Sequence, residues 1–284
     1  MTNEILQNCI SLPGNGPEKT DWHTHAFHPK IAGKVLKQLH GHYGIAPVGT
    51  GLAEDLLSRL KRAGLERAVV HTAATTADQV VPANDWAKKL QADHQELMAF
   101  GTLHPGFTQW EKELERLEQM GIAGVKFHPD FQGYDLDAPA LRPFFEAIGD
   151  RFVLMFHIGD RLPPEKNPSS PAKLAKIRKD FPKLKIIAAH LGGYLHWEQA
   201  LEMLAGTDVF LDTSSSLRFI PDHLLHTLLR RHPKDRILFG SDYPLFDPLE
   251  EIKLLKRRAR LNEQEIVALM LNGTEMLDAG QQSR

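Results

Sequence analysis

The sequence predicts an α/β fold, a (β/α)8 TIM barrel with a loop insertion after strand 1, and three observations predict it. Eight short apolar runs recur along the chain with helical stretches between them, the alternation of a parallel sheet with crossover helices. Seven of the fifteen histidines stand at the carboxyl ends of these runs, and the last run ends in Gly240-Ser241-Asp242. The chain has 284 residues, 42% of them hydrophobic, enough for one barrel of about 250 residues with modest insertions. Residues 1–284 therefore read as a single domain, with residues 1–19 an extension ahead of the first strand.

The runs, taken in order, end at His23-Thr24-His25, His71, His104, His128, His157, His190, Thr213 and Asp242. Between them, residues 52–63 carry apolar side chains at Leu52, Leu56, Leu57 and Leu60 with Gly64 as a stop. Helices are expected over 78–93, 109–120, 138–148, 171–181, 194–204 and 221–231, and two more, over 248–259 and 262–277, close the series. Asp137 before Pro139, and Ser170 before Pro171, look like helix starts; Gly121, Gly149 and Gly206 look like stops. The interval from His23 to His71 is too long for one βα unit. Its excess, residues 28–51, holds five glycines with His40, His42 and Tyr43, and reads as a loop that partly covers the catalytic end of strand 1. A proline-rich segment, residues 161–170, leaves strand 5 on the same face and reads as a stiff wall.

Composition excludes several classes. The net charge is −2, and no basic block exceeds the short cluster Lys256-Arg257-Arg258, so no nucleic-acid or membrane footprint is present. A lone Cys9 rules out an internal disulfide. The first twelve residues lack the basic start and apolar core of a secretory signal, and no apolar stretch of about 18 residues could span a bilayer. A cytoplasmic enzyme acting on a small-molecule substrate is expected, in a chain compatible with a homo-oligomer.

The spacing of two in His23-Thr24-His25 sends both imidazoles to one face of an extended strand, so both can reach one ion. The duller reading of these histidines is a buried set satisfied by backbone groups, and of Asp242 a turn-capping carboxylate. Taken together, His23, His25, His157, His190 and the segment Gly240-Ser241-Asp242-Tyr243-Pro244 resemble the amidohydrolase superfamily of metal-dependent barrels. Gly124-Val125-Lys126-Phe127-His128-Pro129, Ala189-His190-Leu191-Gly192-Gly193 and Leu211-Asp212-Thr213-Ser214-Ser215 are similar to the amidohydrolase-related branch that includes aminocarboxymuconate-semialdehyde decarboxylase. The resemblance implies one divalent metal ion, Zn2+ on ligand type with Mn2+, Fe2+ or Co2+ able to fill the same site, at His23, His25, His157 and Asp242. It implies that His190 orients or deprotonates a water or polarises the substrate, and that Asp242 also shuttles a proton.

Some superfamily members bridge two metals through a carboxylated lysine on strand 4, where this chain has Lys126; a single ion is preferred here. A related nuclease branch places a Glu there, and residues 124–129 contain none. The reaction expected is hydrolysis of an amide, ester or lactone, and the alternative is nonoxidative decarboxylation of an aromatic or unsaturated carboxylic acid. Lys126, His128, His104 and Arg161 are the expected substrate contacts, with Tyr134, Arg218 and residues 40–43 further candidates. For His71 and His104, packing is as good an account as a place in the pocket.

Overall fold

A computed structural model of the chain describes residues 18–278. The extension expected over residues 1–19, and Cys9 with it, lies outside the described residues except for its last two positions. The strands are β1 (Thr20–Thr24), β2 (Arg67–Val70), β3 (Leu97–Ala99, continued as Gly101–Thr102), β4 (Gly124–Phe127), β5 (Val153–Phe156), β6 (Lys185–Ala188), β7 (Phe210–Asp212) and β8 (Ile237–Leu238). Every pairing is parallel and joins neighbours in sequence. The ladder shifts partner at Phe100, where β3 stops pairing with β2 and begins pairing with β4, and the Phe100 amide bridges the break by donating to the Val70 carbonyl at 2.9 Å. The last strand returns to the first: Trp22 N donates to Phe239 O, Asp242 N to His23 O, and His25 N to Tyr243 O, each at 2.8 Å. These are the eight strands expected, in the order expected.

The helices are α1 (Pro29–Tyr43), α2 (Ala53–Ala63), α3 (Val80–Asp93), α4 (Trp110–Gln119), α5 (Pro129–Gln132), α6 (Arg142–Ile148), α7 (Pro171–Asp180), α8 (Trp197–Met203), α9 (Asp222–Arg231), α10 (Pro248–Leu254), α11 (Glu263–Leu271) and α12 (Glu275–Asp278). Helix α2 shows why they form: it buries Leu56 and Leu60, opens on Glu54 and Asp55, and closes on Lys61, Arg62 and a left-handed Gly64. The stretch expected as one helix to residue 277 breaks at Gly273, whose φ of +72° no helix accommodates.

The insertion after β1 is not a loop. Most of it is α1, opened by the His28 side chain, which accepts from Lys30 N, and closed by a left-handed Gly44. Its glycines hid a helical stripe, Ile31, Val35 and Leu39; a Cβ at Gly33 or Gly41 would meet nothing within 4 Å, so neither marks a turn.

Two apolar layers hold the barrel. The larger lies between the strands and the helices; the smaller fills the barrel interior with Trp22, Val69, Met98, Phe100, Met155 and Ile187. Inside the barrel the composition changes abruptly above this plug, where Lys126 begins a polar layer at the carboxyl ends of the strands.

Candidate active site

That polar layer floors a cavity of about 840 Å³ lined by His23, His25, Lys126, His128, His157, His190 and Asp242. Strand β1 carries one extra residue between Asp21 and Thr24 relative to β2. Bulges of this kind re-aim side chains, and here Trp22 enters the plug while His23 and His25 both face the cavity, their ring centroids 5.3 Å apart. Asp21 ties the bulge to the far end of the circuit, its carboxylate accepting from His23 N at 3.2 Å and Ser241 N at 3.0 Å. Gly240 allows the strands to approach here, since a Cβ on it would stand 2.9 Å from the His23 Cβ.

Hydrogen bonds fix the protons on this floor. His25 Nδ1 lies 2.9 Å from the His71 carbonyl oxygen, which can only accept, so Nδ1 carries a proton and the neutral ring offers its lone pair at Nε2. That Nε2 is 3.3 Å from Asp242 Oδ1. His23 repeats the arrangement: Nδ1 faces Asp212 Oδ2 at 2.9 Å, and Nε2 is 3.8 Å from the same Asp242 oxygen. Asp242 holds Oδ1 in this position because Ser215 Oγ donates to Oδ2. Two lone pairs and a carboxylate oxygen thus converge on one point.

This donor set fits a divalent cation. Donors bound to one ion at about 2.1 Å lie roughly 3–4 Å apart, the separations found here, and the outer nitrogens of both histidines are engaged by a carboxylate and a carbonyl, the partners that orient metal-bound imidazoles. Burial, with Lys126 beside it, also lowers the His23 imidazole well below its ordinary range, so it is neutral at pH 7 and its Nε2 can ligate or accept from Lys126 Nζ.

His157 and His190 form a second line. His190 Nδ1 points at the Ser214 carbonyl, 3.1 Å away, so it is protonated and His190 Nε2 accepts from His157 Nδ1 at 3.0 Å. What remains is His157 Nε2, a buried lone pair with no partner. The structure therefore brings together three of the four expected ligands and sets His157 apart: its Nδ1 is engaged by His190 and its ring stacks on His128 at 3.8 Å, in a separate group with His128 and Asp130. Expected as the group that handles the proton, His190 has both nitrogens occupied, whereas His157 has one free.

The expected substrate contacts divide. Lys126 is buried on the floor with Nζ 3.3 Å from His23 Nε2, and burial lowers its ammonium to about 8. His128 lines the cavity, stacked between His157 and Phe131. His104 does not reach it: its ring nitrogens meet the Gln132 carbonyl and the Gly106 amide. Arg161 is exposed outside the lining, Tyr134 donates to Gln132, and Arg218 pairs with Glu251 at 2.8 Å. His42 and Tyr43 do line the cavity, from the last turn of α1, while His40 does not. His71 packs behind His23, with Nε2 donating to the Trp22 carbonyl.

Several working residues escaped the sequence reading. Asp212 orients His23 and accepts from His190 N at 3.1 Å, and Ser214 and Ser215 hold His190 and Asp242. The signal was present in Leu211-Asp212-Thr213-Ser214-Ser215, a polar cluster ending a barrel strand. Backbone strain marks the same places: His190, Ser215 and Asp242 all have positive φ, at 62°, 47° and 63°.

A sequence profile of the family described as Amidohydrolase matches residues 20–274. The chain belongs to the amidohydrolase family. No curated protein matches it at a significant level. Among solved structures the family member is similar to 5-carboxyvanillate decarboxylase from Sphingomonas paucimobilis, with a TM-score of 0.65, 15% identity, and coverage of 92% of this chain and 98% of that one. It is also similar to a Pseudomonas putida protein provisionally described as a 2-pyrone-4,6-dicarboxylic acid hydrolase (TM-score 0.65, 16% identity, 94% of this chain and 99% of that one). A third likeness is to a dihydroxybenzoic acid decarboxylase from Polaromonas sp. JS666 with bound manganese and an inhibitor, 2-nitroresorcinol (TM-score 0.63, 17% identity, 95% and 98% coverage). At these identities the likeness is one of fold. Family membership makes the chain an enzyme of metal-dependent type, and among the described residues no helix is long and apolar enough to cross a membrane.

Proposed function

We propose that the protein is a metal-dependent hydrolase of a small organic amide, ester or lactone. The observation that carries the proposal is the convergence of His23 Nε2 and His25 Nε2 on Asp242 Oδ1, at 3.8 and 3.3 Å, with the outer nitrogen of each ring already engaged by a carboxylate or a carbonyl. His23, His25 and Asp242 would hold the ion, and the family relative with bound manganese supports a divalent one. When bound, such an ion supplies Lewis acidity and acidifies a water. The chain's own residues do the rest. His157 Nε2 is the free proton acceptor in the cavity, and His190, locked by Ser214, keeps it in that tautomer. Lys126 supplies the positive charge on the floor that steadies a developing oxyanion.

The alternative is nonoxidative decarboxylation of an aromatic or unsaturated carboxylic acid. Lys126 favours it as a cation able to hold a carboxylate, and two of the three structural likenesses described carry decarboxylase names.

Loading the protein with Zn2+ or Mn2+ and assaying ester and lactone hydrolysis beside CO2 release from aromatic carboxylates separates the two. Acid release without CO2 supports the hydrolase; CO2 release alone overturns it. Metal content of His157→Ala decides that residue's place: retained metal with lost turnover marks a proton acceptor, and lost metal marks a fourth ligand.

A further inference from the structure

The cavity has a second half that the floor does not explain. One face of α1, Ile31, Val35 and Leu39, looks across it at Pro82 and Trp86 of α3, with Phe27 at the inner end stacked on His25 at a centroid distance of 6.0 Å. An apolar stripe at this spacing ordinarily packs into a core. Here it does not: Ala32 is the only buried residue of α1, and Ile31 is 48% exposed. Both ends of α1 are nevertheless tied down. At its start the His28 ring stands edge-on to Trp86, centroids 4.9 Å apart; at its end His42 Nε2 meets the buried Asp160 carboxylate at 2.9 Å. The result is a slot with an apolar stripe on each wall, lined also by Lys34, Gln38, Thr75 and Gln79, and continuous with the polar floor.

Resting on the reading of the floor as the reacting end, we propose that the substrate is amphiphilic: a carbonyl head at the floor and an extended apolar body, an acyl chain or its equivalent in length, lying between α1 and α3. The stripe from Ile31 to Leu39 spans about 12 Å along the helix, which matches a chain of roughly eight carbons and exceeds a single benzene ring. The slot's continuity with the floor argues for a ligand that occupies both at once.

The test uses straight-chain alkyl hydroxamates of two to ten carbons, whose head binds metal and whose tail does not, with affinity measured calorimetrically on the metal-loaded and metal-stripped protein. Each added methylene should tighten binding roughly threefold to fourfold up to about eight carbons, and Leu39→Asp should cut that increment below about twofold per methylene. Leu39→Asp is checked by its melting temperature, and Val35→Asp serves as the second variant. Affinity that does not change with chain length, in either metal state, overturns the slot, as does an increment that survives in both variants. Failure of the floor reading looks different: the two-carbon hydroxamate then binds metal-loaded and stripped protein alike, while the chain-length increment persists. Absence of binding at every length overturns both.

Discussion

The floor of the cavity and the α1 wall are built in opposite ways. On the floor each imidazole is fixed by a backbone carbonyl, a carboxylate or another ring, strained φ angles are held in place by the surrounding strands, and glycine is required for clearance. Along the wall, one helix presents an unpacked apolar face and is held mainly at its ends. Chemistry needs donors placed to within a fraction of an ångström, whereas recognition of an apolar body needs area and little direction. On the proposed function, reaction belongs to the floor and selection to the wall.

The comparison breaks first if the floor tolerates change. Asp242→Ala should lower bound metal from about one equivalent to below about a tenth and abolish turnover, measured by elemental analysis after dialysis; full retention of metal would sink the site. Asp212→Asn keeps the shape but removes the carboxylate behind His23, and is expected to weaken metal affinity about 10–100-fold in a competition titration with a chelator. Gly240→Ala forces a methyl against His23 and should cost about 1–3 kcal/mol in denaturant unfolding, with reduced metal occupancy; an unchanged midpoint would show that the strands can separate there.

A buried carboxyl on α10 gives a pH signature. Glu251 is buried, with one carboxylate oxygen paired to Arg218 and the other unpartnered, and burial pushes its carboxyl up to about 7. Its folded value lies above its unfolded one, so its contribution to stability is full below about 4.5 and is lost as pH rises through about 7. The melting temperature of Glu251→Gln relative to the parent should therefore climb between pH 5 and 8, and a flat difference would argue against a raised carboxyl. The smallest effect is expected on the wall: Ile31→Ser should change unfolding free energy by less than about 0.5 kcal/mol, since its side chain is half in solvent. A loss several times larger would mean that α1 packs more tightly than its exposure indicates.

These two regions are also unequally legible in the sequence. Strand ends announce themselves because burying a histidine or aspartate at the end of an apolar run is costly unless a partner or an ion meets it there, so His23, His25 and Asp242 stand out and the structure brings them together. The separation of His157 from that trio depends on which ring nitrogen faces which carbonyl, and no spacing rule encodes it. His104 and Arg161 sit on segments that follow strands, yet His104 turns to the backbone of α5 and its neighbouring loop and Arg161 to solvent. Helix α1 reads as a loop because Gly33 and Gly41 look like breakers, when both lie on open positions where a missing side chain costs only propensity.

Ser214 has one hydroxyl proton. It goes to Asp212, so the oxygen can only receive from His23 Nδ1 at 3.0 Å and His190 Nδ1 at 2.9 Å. A single rotor therefore sets the orientation of rings on two strands at once, and through His190 that of a third. Rotation of that hydroxyl toward either ring is opposed, because His23 Nδ1 also faces the Asp212 carboxylate and His190 Nδ1 the Ser214 carbonyl, and both need their protons there. The floor is thus held in one arrangement of protons, selected by the buried Asp212 carboxylate and the Ser214 carbonyl.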